Sequence, residues 1–439
     1  MSSILITHAQ IVNENTTRCA DLFVKNGRIE KIDSDLSYCS ADQTIDATGL
    51  LLLPGMIDTH VHFREPGMEN KADLRSETRA AVAGGVTSFM EMPNTKPATV
   101  TNPLLEEKFA LASTKSLANY SFYLGASNKN IDELRAADPQ KVCGIKLFMG
   151  ASTGNLLVDR PQTLESIFKT ITLPIAVHCE RTDLIQANEK EIRSEYGDSI
   201  PIRFHPIIRS EEACYTSTAH AIELATKYHA QLHILHITTA RELQLLDPAP
   251  IAQKRITAEA CPHHLWFCDE DYETLGTKIK VNPAIKTAAD RAALRTALQN
   301  GTLDTVGTDH APHLLSEKNQ PYLSAPSGLP NIQTALLSLL EFLSPEMVAK
   351  KTAHHPAQIF NVQDRGFIRE GYWADLVLID PNKPYTVCPE NIAYKCGWSP
   401  FEGVTFKNSI ATTIVSGQLA FHNEQINDHT QGHRLVFDR

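Results

Sequence analysis

The sequence predicts an α/β chain: a (β/α)8 TIM barrel with a small β-sandwich domain formed from both chain termini. Three observations predict it. Eight β-like runs alternate with helix-like segments through the middle, short β runs occupy both ends, and the chain has 439 residues. That length holds a barrel of about 250 residues and a second, smaller unit.

At the start, ILITHAQIV, DLFVKNGRIEKI and TIDATGLLLLPG are short β segments divided by polar turns, and Asn26-Gly27 is a strong hairpin signal. So few short strands make a poor core alone. Matching β runs, ADLVLIDP at 374–381 and IATTIVSGQLAFHN at 410–423, lie at the other end. The expectation is one discontinuous β domain from 1–53 and 367–439, with the barrel, 54–366, inserted between its halves.

The eight barrel runs fall at 56–63, 85–92, 119–126, 143–150, 173–180, 232–238, 256–264 and 303–311. Helical stretches such as KADLRSETRAAVAG and AADRAALRTALQNG separate them. Such alternation implies parallel βαβ units, and eight of them fit a closed barrel better than an open sheet. The connection 312–330, rich in Pro, Ser and Leu, has the length of a functional loop.

Composition narrows the function classes. A 42% hydrophobic share with 21% charged residues excludes a disordered chain. The net charge of −10 argues against a nucleic-acid partner, which favours a basic face. It leaves room for an anionic small substrate, because one Arg can reverse the local field. No apolar run reaches the roughly 18 residues of a membrane span. The start, MSSILITHAQIVNENTT, lacks the pattern of a secretory signal. Nine Cys without a CxxC pair read as free thiols, so the expected location is cytoplasmic.

Eighteen His is the outlying count. Residues i and i+2 of a strand share a face, so His60 and His62 point the same way. His178 ends PIAVH, His236 ends LHILH and Asp309 ends TVGTD. All five sit at C-terminal strand ends, where barrel enzymes hold their chemistry. A lone buried His is more often a hydrogen-bonded core residue than a ligand. Five convergent polar groups without a purpose would cost roughly several kcal/mol in desolvation. The pattern predicts metal ligation, with Zn²⁺ as the first choice and Mn²⁺, Co²⁺ or Fe²⁺ as substitutes. Lys146, at the end of the fourth run, is the odd member, because an ammonium beside two divalent ions is repelled. Carboxylation of its amine would turn it into a two-oxygen anion able to bridge two metals. The alternative leaves its head in solvent or on substrate.

DTHVHFREPG (58–67), GGVTSFMEMPNT (84–95), GIKLFMGASTGN (144–155), CPHHL (261–265) and DHAPH (309–313) resemble the dihydroorotases of the cyclic amidohydrolase superfamily, and the resemblance covers essentially the whole chain. It implies two Zn²⁺ per subunit: His60 and His62 on one metal, His178 and His236 on the other, and N6-carboxylysine at Lys146 as the bridge. Asp309 would ligate and act as the catalytic acid–base. One branch of the long bacterial-type members carries an Asp-containing stretch after the fourth strand. Here Lys-Leu-Phe-Met stands instead, which resembles the lysine-using branch. The implied reaction is the reversible cyclisation of N-carbamoyl-L-aspartate to L-dihydroorotate plus water, a step of de novo pyrimidine biosynthesis. The resemblance also implies a homodimer or higher homo-oligomer, and leaves open an association with aspartate transcarbamoylase.

Arg64 discriminates among such enzymes. It follows His62 by two, shares its face, and can grip a carboxylate with two parallel hydrogen bonds. Allantoin and simple hydantoins have no carboxylate, so Arg64 weighs against an allantoinase or a dihydropyrimidinase (hydantoinase). Its plainer reading is a salt bridge to Glu65 or Glu69. Asn94 and His313 can add donors to the carboxylate; the plainer readings are a turn former and a supporting residue. By resemblance, Asn282 contacts the ring, Ser327 and Gly328 offer backbone to the pyrimidine edge, and Ser152 and Thr153 match a mobile lid. A non-catalytic relative would be expected to lose metal ligands, and here all six positions are filled.

Overall fold

A computed structural model describes residues 3–150 and 156–439, so the expectation for Ser152 and Thr153 lies outside the described residues. Ser3–Asn13, Thr16–Lys25 and Arg28–Asp33 form an antiparallel meander, with Asn26 and Gly27 at positive φ in its second turn. Gln43–Asp46 and Leu51–Pro54 run parallel to Ser3–Asn13. Leu376–Asp380 then pairs antiparallel with Leu51–Pro54, and Ser409–Val415, Gln418–His422 and Gln425–Ile426 extend the sheet to nine strands, with Gln43–Asp46 off its main path. These strands are the small β-sandwich that joins the two ends of the chain.

Period-two alternation makes the junction strands a wall between two cores. Leu52, Leu376 and Leu378 pack into the β-domain core, whereas Leu53, Val377 and Ile379 pack into the barrel core.

The barrel strands are, in order, Met56–Val61, Val86–Glu91, Asn119–Phe122 with Leu124–Gly125, Ile145–Phe148, Ile175–His178, Leu232–Ile234, Ile256–Ala260 and Thr305–Val306. Every neighbouring pair that is hydrogen-bonded as a ladder is parallel. The third strand is split at Tyr123: its first part pairs with the second strand and its last part with the fourth. Closure comes where the His62 amide donates to the His310 carbonyl (2.8 Å). The outer helices start where local chemistry dictates. Asp73 caps Leu74–Ala83 by accepting from the Ser76 amide, and Thr287 with Asp290 forms a capping box on Ala288–Asn300.

Two later segments leave the β domain and pack on the barrel. Tyr394, Trp398, Phe401 and Phe406 join the barrel core. At the end of the chain, the Leu435 amide donates to the Tyr120 carbonyl (2.9 Å). Leu435 and Phe437 are buried with Ile57, Met90, Tyr123 and Phe360, which seals the barrel floor opposite the strand C-termini.

Candidate active site

One cavity opens at the C-terminal ends of the strands. His60, His62, Lys146, His178, His236 and Asp309 all line it, together with Arg64, Asn94, Asn282, His313, Ser327 and Gly328. Alternation on the first strand sends His60 and His62 to the same side, with ring centroids 5.4 Å apart. Asp309 Oδ1 lies 3.2 Å from His60 Nε2 and 3.0 Å from His62 Nε2. Burial would raise the Asp309 pKa, but His60 and His62 hold the carboxyl well below the usual range.

The other nitrogen of each ring is fixed from behind. His60 Nδ1 donates to Glu259 Oε1 (2.6 Å), and His62 Nδ1 donates to Asn94 Oδ1 (2.7 Å). Both Nε2 atoms are thereby turned toward Asp309. On the opposite wall, His178 Nε2 donates to Glu180 Oε2 (3.0 Å), and Arg209 pairs with the same carboxylate oxygen. His178 Nδ1 then faces His236 Nε2 at 2.9 Å. At 2.9 Å the two imidazole nitrogens are within hydrogen-bond distance at the cavity wall, and both atoms are of a type that can also ligate a metal.

Lys146 is 1% exposed, and among the described residues it makes no hydrogen bond or ion pair; its Nζ sits 4.5 Å from the Phe148 ring centroid. Burial lowers its pKa to about 7, so much of the amine is neutral near neutrality, the form that adds CO₂. Among the described residues, His60, His62 and Asp309 offer ligand atoms within 4.8 Å of one another, a donor set that fits a divalent cation.

Arg64, His236 and Asp309 all have left-handed backbone, with φ of +71°, +40° and +47°. Such conformations are costly for residues with a Cβ and gather at functional sites. Arg64 makes no pair with Glu65 or Glu69 among the described residues. Glu65 instead pairs with Lys115, while Arg64 Nε donates to the Pro312 carbonyl (3.1 Å) and Arg64 Nη2 lies 3.0 Å from His313 Nε2. Asn94, read from the sequence as a carboxylate donor, also serves as the acceptor that orients His62. Asn282 Oδ1 accepts from Ser327 Oγ (3.0 Å), linking the two expected ring contacts.

The sequence reading missed Glu259 and Glu180. Glu259 is fully buried and also meets Thr59 Oγ1 (3.1 Å) and His233 Nε2 (3.4 Å). Burial would raise its pKa, yet His60 and His233 beside it bring it down to about 2. The overlooked signal was a carboxylate inside the apolar run ITAEA. Glu180 follows His178 by two and therefore shares its face. His263 and His264 of the CPHHL motif are buried on the short helix Pro262–Trp266, close to Cys261.

The Amidohydrolase family profile matches residues 51–420. A dihydroorotase of Methanosarcina acetivorans is 32% identical over 420 residues, 92% of this chain and 89% of that relative. A dihydroorotase of Methanosphaera stadtmanae is 30% identical over 97% of this chain and 98% of its own. One from Geobacter metallireducens is 32% identical over 95% and 99%. Among solved structures, an L-hydantoinase (dihydropyrimidinase) from Arthrobacter aurescens is similar with a TM-score of 0.93, at 25% identity, over 99% of this chain and all of that one. A dihydropyrimidinase from Brevibacillus agri gives a TM-score of 0.88 at 25% identity over the full length of both.

Proposed function

The chain belongs to the amidohydrolase family, and from that premise we infer that it acts as a dihydroorotase, a hydrolase of a cyclic amide bond that interconverts N-carbamoyl-L-aspartate and L-dihydroorotate plus water. The observation that carries the reading is Arg64, a buried guanidinium beside the His60–His62–Asp309 cluster in the same cavity. It gives the site a partner for the ring carboxylate of dihydroorotate.

The residues that would hold two zinc ions are His60 and His62 for one and His178 and His236 for the other, with carboxylated Lys146 and Asp309 as the further oxygen ligands. When bound, such a pair makes water acidic enough to supply hydroxide at neutral pH and polarises the amide carbonyl. The protein's own groups do the rest. Arg64, His313 and the Asn94 amide hold the substrate carboxylate, while Asn282, Ser327 and Gly328 face the ring. In the hydrolytic direction water adds to the ring carbonyl carbon and the carbon–nitrogen bond breaks. Asp309 takes the proton of the attacking water and passes it to the departing ring nitrogen. Ring closure runs the same transfers backwards. The nine thiols are free, in keeping with a reducing cytoplasm. A homodimer or higher homo-oligomer is the expected working form.

The solved hydantoinases and dihydropyrimidinases share the fold, but their names point to rings that carry no carboxylate for Arg64 to bind. The deciding experiment assays protein of measured metal content on dihydroorotate, allantoin and dihydrouracil. Dihydroorotate is the expected preference, and preference for either neutral ring overturns the assignment.

A further inference from the structure

Lys71 comes from the loop after the first barrel strand, and the mechanism above does not use it. Its ammonium lies 2.9 Å from Glu317 Oε1 and 3.1 Å from His313 Nδ1. His313 is 8% exposed, and its Nε2 lies 3.1 Å from the Ser327 carbonyl and 3.0 Å from Arg64 Nη2. The Trp398 indole donates to the His313 carbonyl (2.7 Å), which anchors the backbone.

These contacts decide which ring nitrogen carries the proton. Ammonium and guanidinium groups only donate, and a carbonyl only accepts. With the hydrogen on Nε2, the ring accepts from Lys71 and donates to Ser327, and a single contact, that with Arg64, is mismatched. With the hydrogen on Nδ1, Arg64 is satisfied, but Lys71 meets an N–H and the Ser327 carbonyl meets a lone pair. Two matched contacts outweigh one. Burial, with Arg64 and Lys71 nearby, keeps the ring neutral.

The remaining mismatch is informative. Arg64 Nη2 and His313 Nε2–H are then two donors side by side in the cavity wall. A carboxylate resolves the conflict by accepting from Arg64 with one oxygen and, with the other, sharing the His313 Nε2–H with the Ser327 carbonyl in a three-centre bond.

We propose that Lys71, held by Glu317, is a positioning residue that fixes His313 in its Nε2–H form, so that His313 and Arg64 together select a substrate carboxylate. The proposal rests on the dihydroorotase reading for the identity of that carboxylate. Without Lys71 the ring is free to turn its lone pair to Arg64, and one donor to the substrate is lost.

The test has two arms on the metal-loaded protein. In the first, ¹⁵N-histidine NMR, with His313 assigned by its absence in His313→Gln, reads the tautomer without any substrate. A protonated Nε2 in the wild type, redistributed toward Nδ1–H in Lys71→Met, is expected. A wild-type ring protonated at Nδ1 overturns the proposal whatever the enzyme's substrate is. In the second, Lys71→Met is expected to raise KM for dihydroorotate about tenfold, with kcat changed less than about threefold. Lys71→Arg, which restores a cationic donor, should recover most of the loss. An unchanged KM in Lys71→Met, or a loss confined to kcat, overturns the proposal. Failure of the wild type to use dihydroorotate would instead overturn the dihydroorotase reading and leave the tautomer result standing.

Discussion

The two ends of the barrel are built from the same eight strands and could hardly differ more. At the mouth, polar side chains converge, three residues are held in left-handed backbone, and imidazole nitrogens face one another. At the floor, Leu435, Phe437, Met90 and Phe360 close the barrel with apolar side chains, and the final residues pair with Tyr120. The mouth holds groups that destabilise a fold unless a ligand satisfies them, and the floor supplies part of the packing that tolerates them. Damage at one end should therefore show in activity and damage at the other in stability.

The largest effect should come from Asp309→Asn, which keeps an oxygen donor but cannot shuttle a proton. Its kcat is expected to fall by about 10²–10⁴-fold, with the unfolding midpoint nearly unchanged. Substantial turnover with full metal content would remove Asp309 from the acid–base role. At the floor, Phe437→Ala should destabilise by about 3–5 kcal/mol, read from denaturant unfolding, while kcat per folded molecule is retained. A loss of kcat without a loss of stability would erase the division between the two ends.

Smaller effects probe the supports behind the ligands. Glu259→Gln and Glu180→Gln keep shape but lose the carboxylate that fixes a ring, and each should weaken zinc binding by about 10–100-fold in competition with a chelator. The smallest effect is a pH dependence. Burial alone would raise the Glu180 pKa, but Arg209 and His178 bring it down to about 2, as His60 and His233 do for Glu259. A carboxyl with a depressed folded-state pKa contributes stability above its unfolded value, near 4.3, and loses it as pH falls toward the folded value. The metal-free protein should therefore lose stability as pH drops from about 4.5 toward 2, with a shallower slope in Glu180→Gln.

The barrel strands were legible because apolar runs at regular spacing leave few alternatives, and the mouth residues because His60, His62, His178, His236 and Asp309 each end such a run. What stood behind them was not legible. Glu259 is adjacent to His60 only through strand pairing around the barrel, so no local pattern joins the two. Asn94 was visible as a polar residue after the second strand, but its hold on His62 depends on a loop conformation that spacing does not specify. The tail residues Leu435 and Phe437 looked like the end of the β domain, because nothing in their order marks the barrel floor as their packing partner.

The seam between Leu51–Pro54 and Leu376–Asp380 also has a bearing on how the molecule is made. The first β strands leave the ribosome early, but the partner that covers the Leu51–Pro54 edge is synthesised only after the entire barrel. Through that interval the nascent chain carries the apolar stretch Leu50–Leu53 beside an unpaired strand edge, the kind of surface that recruits wrong partners. Closing so long a loop adds little to the equilibrium penalty, because that penalty grows only with the logarithm of loop length. The burden falls on the timing of synthesis, and slow elongation or a shortage of chaperones should reduce the yield of this chain well before either affects its final stability.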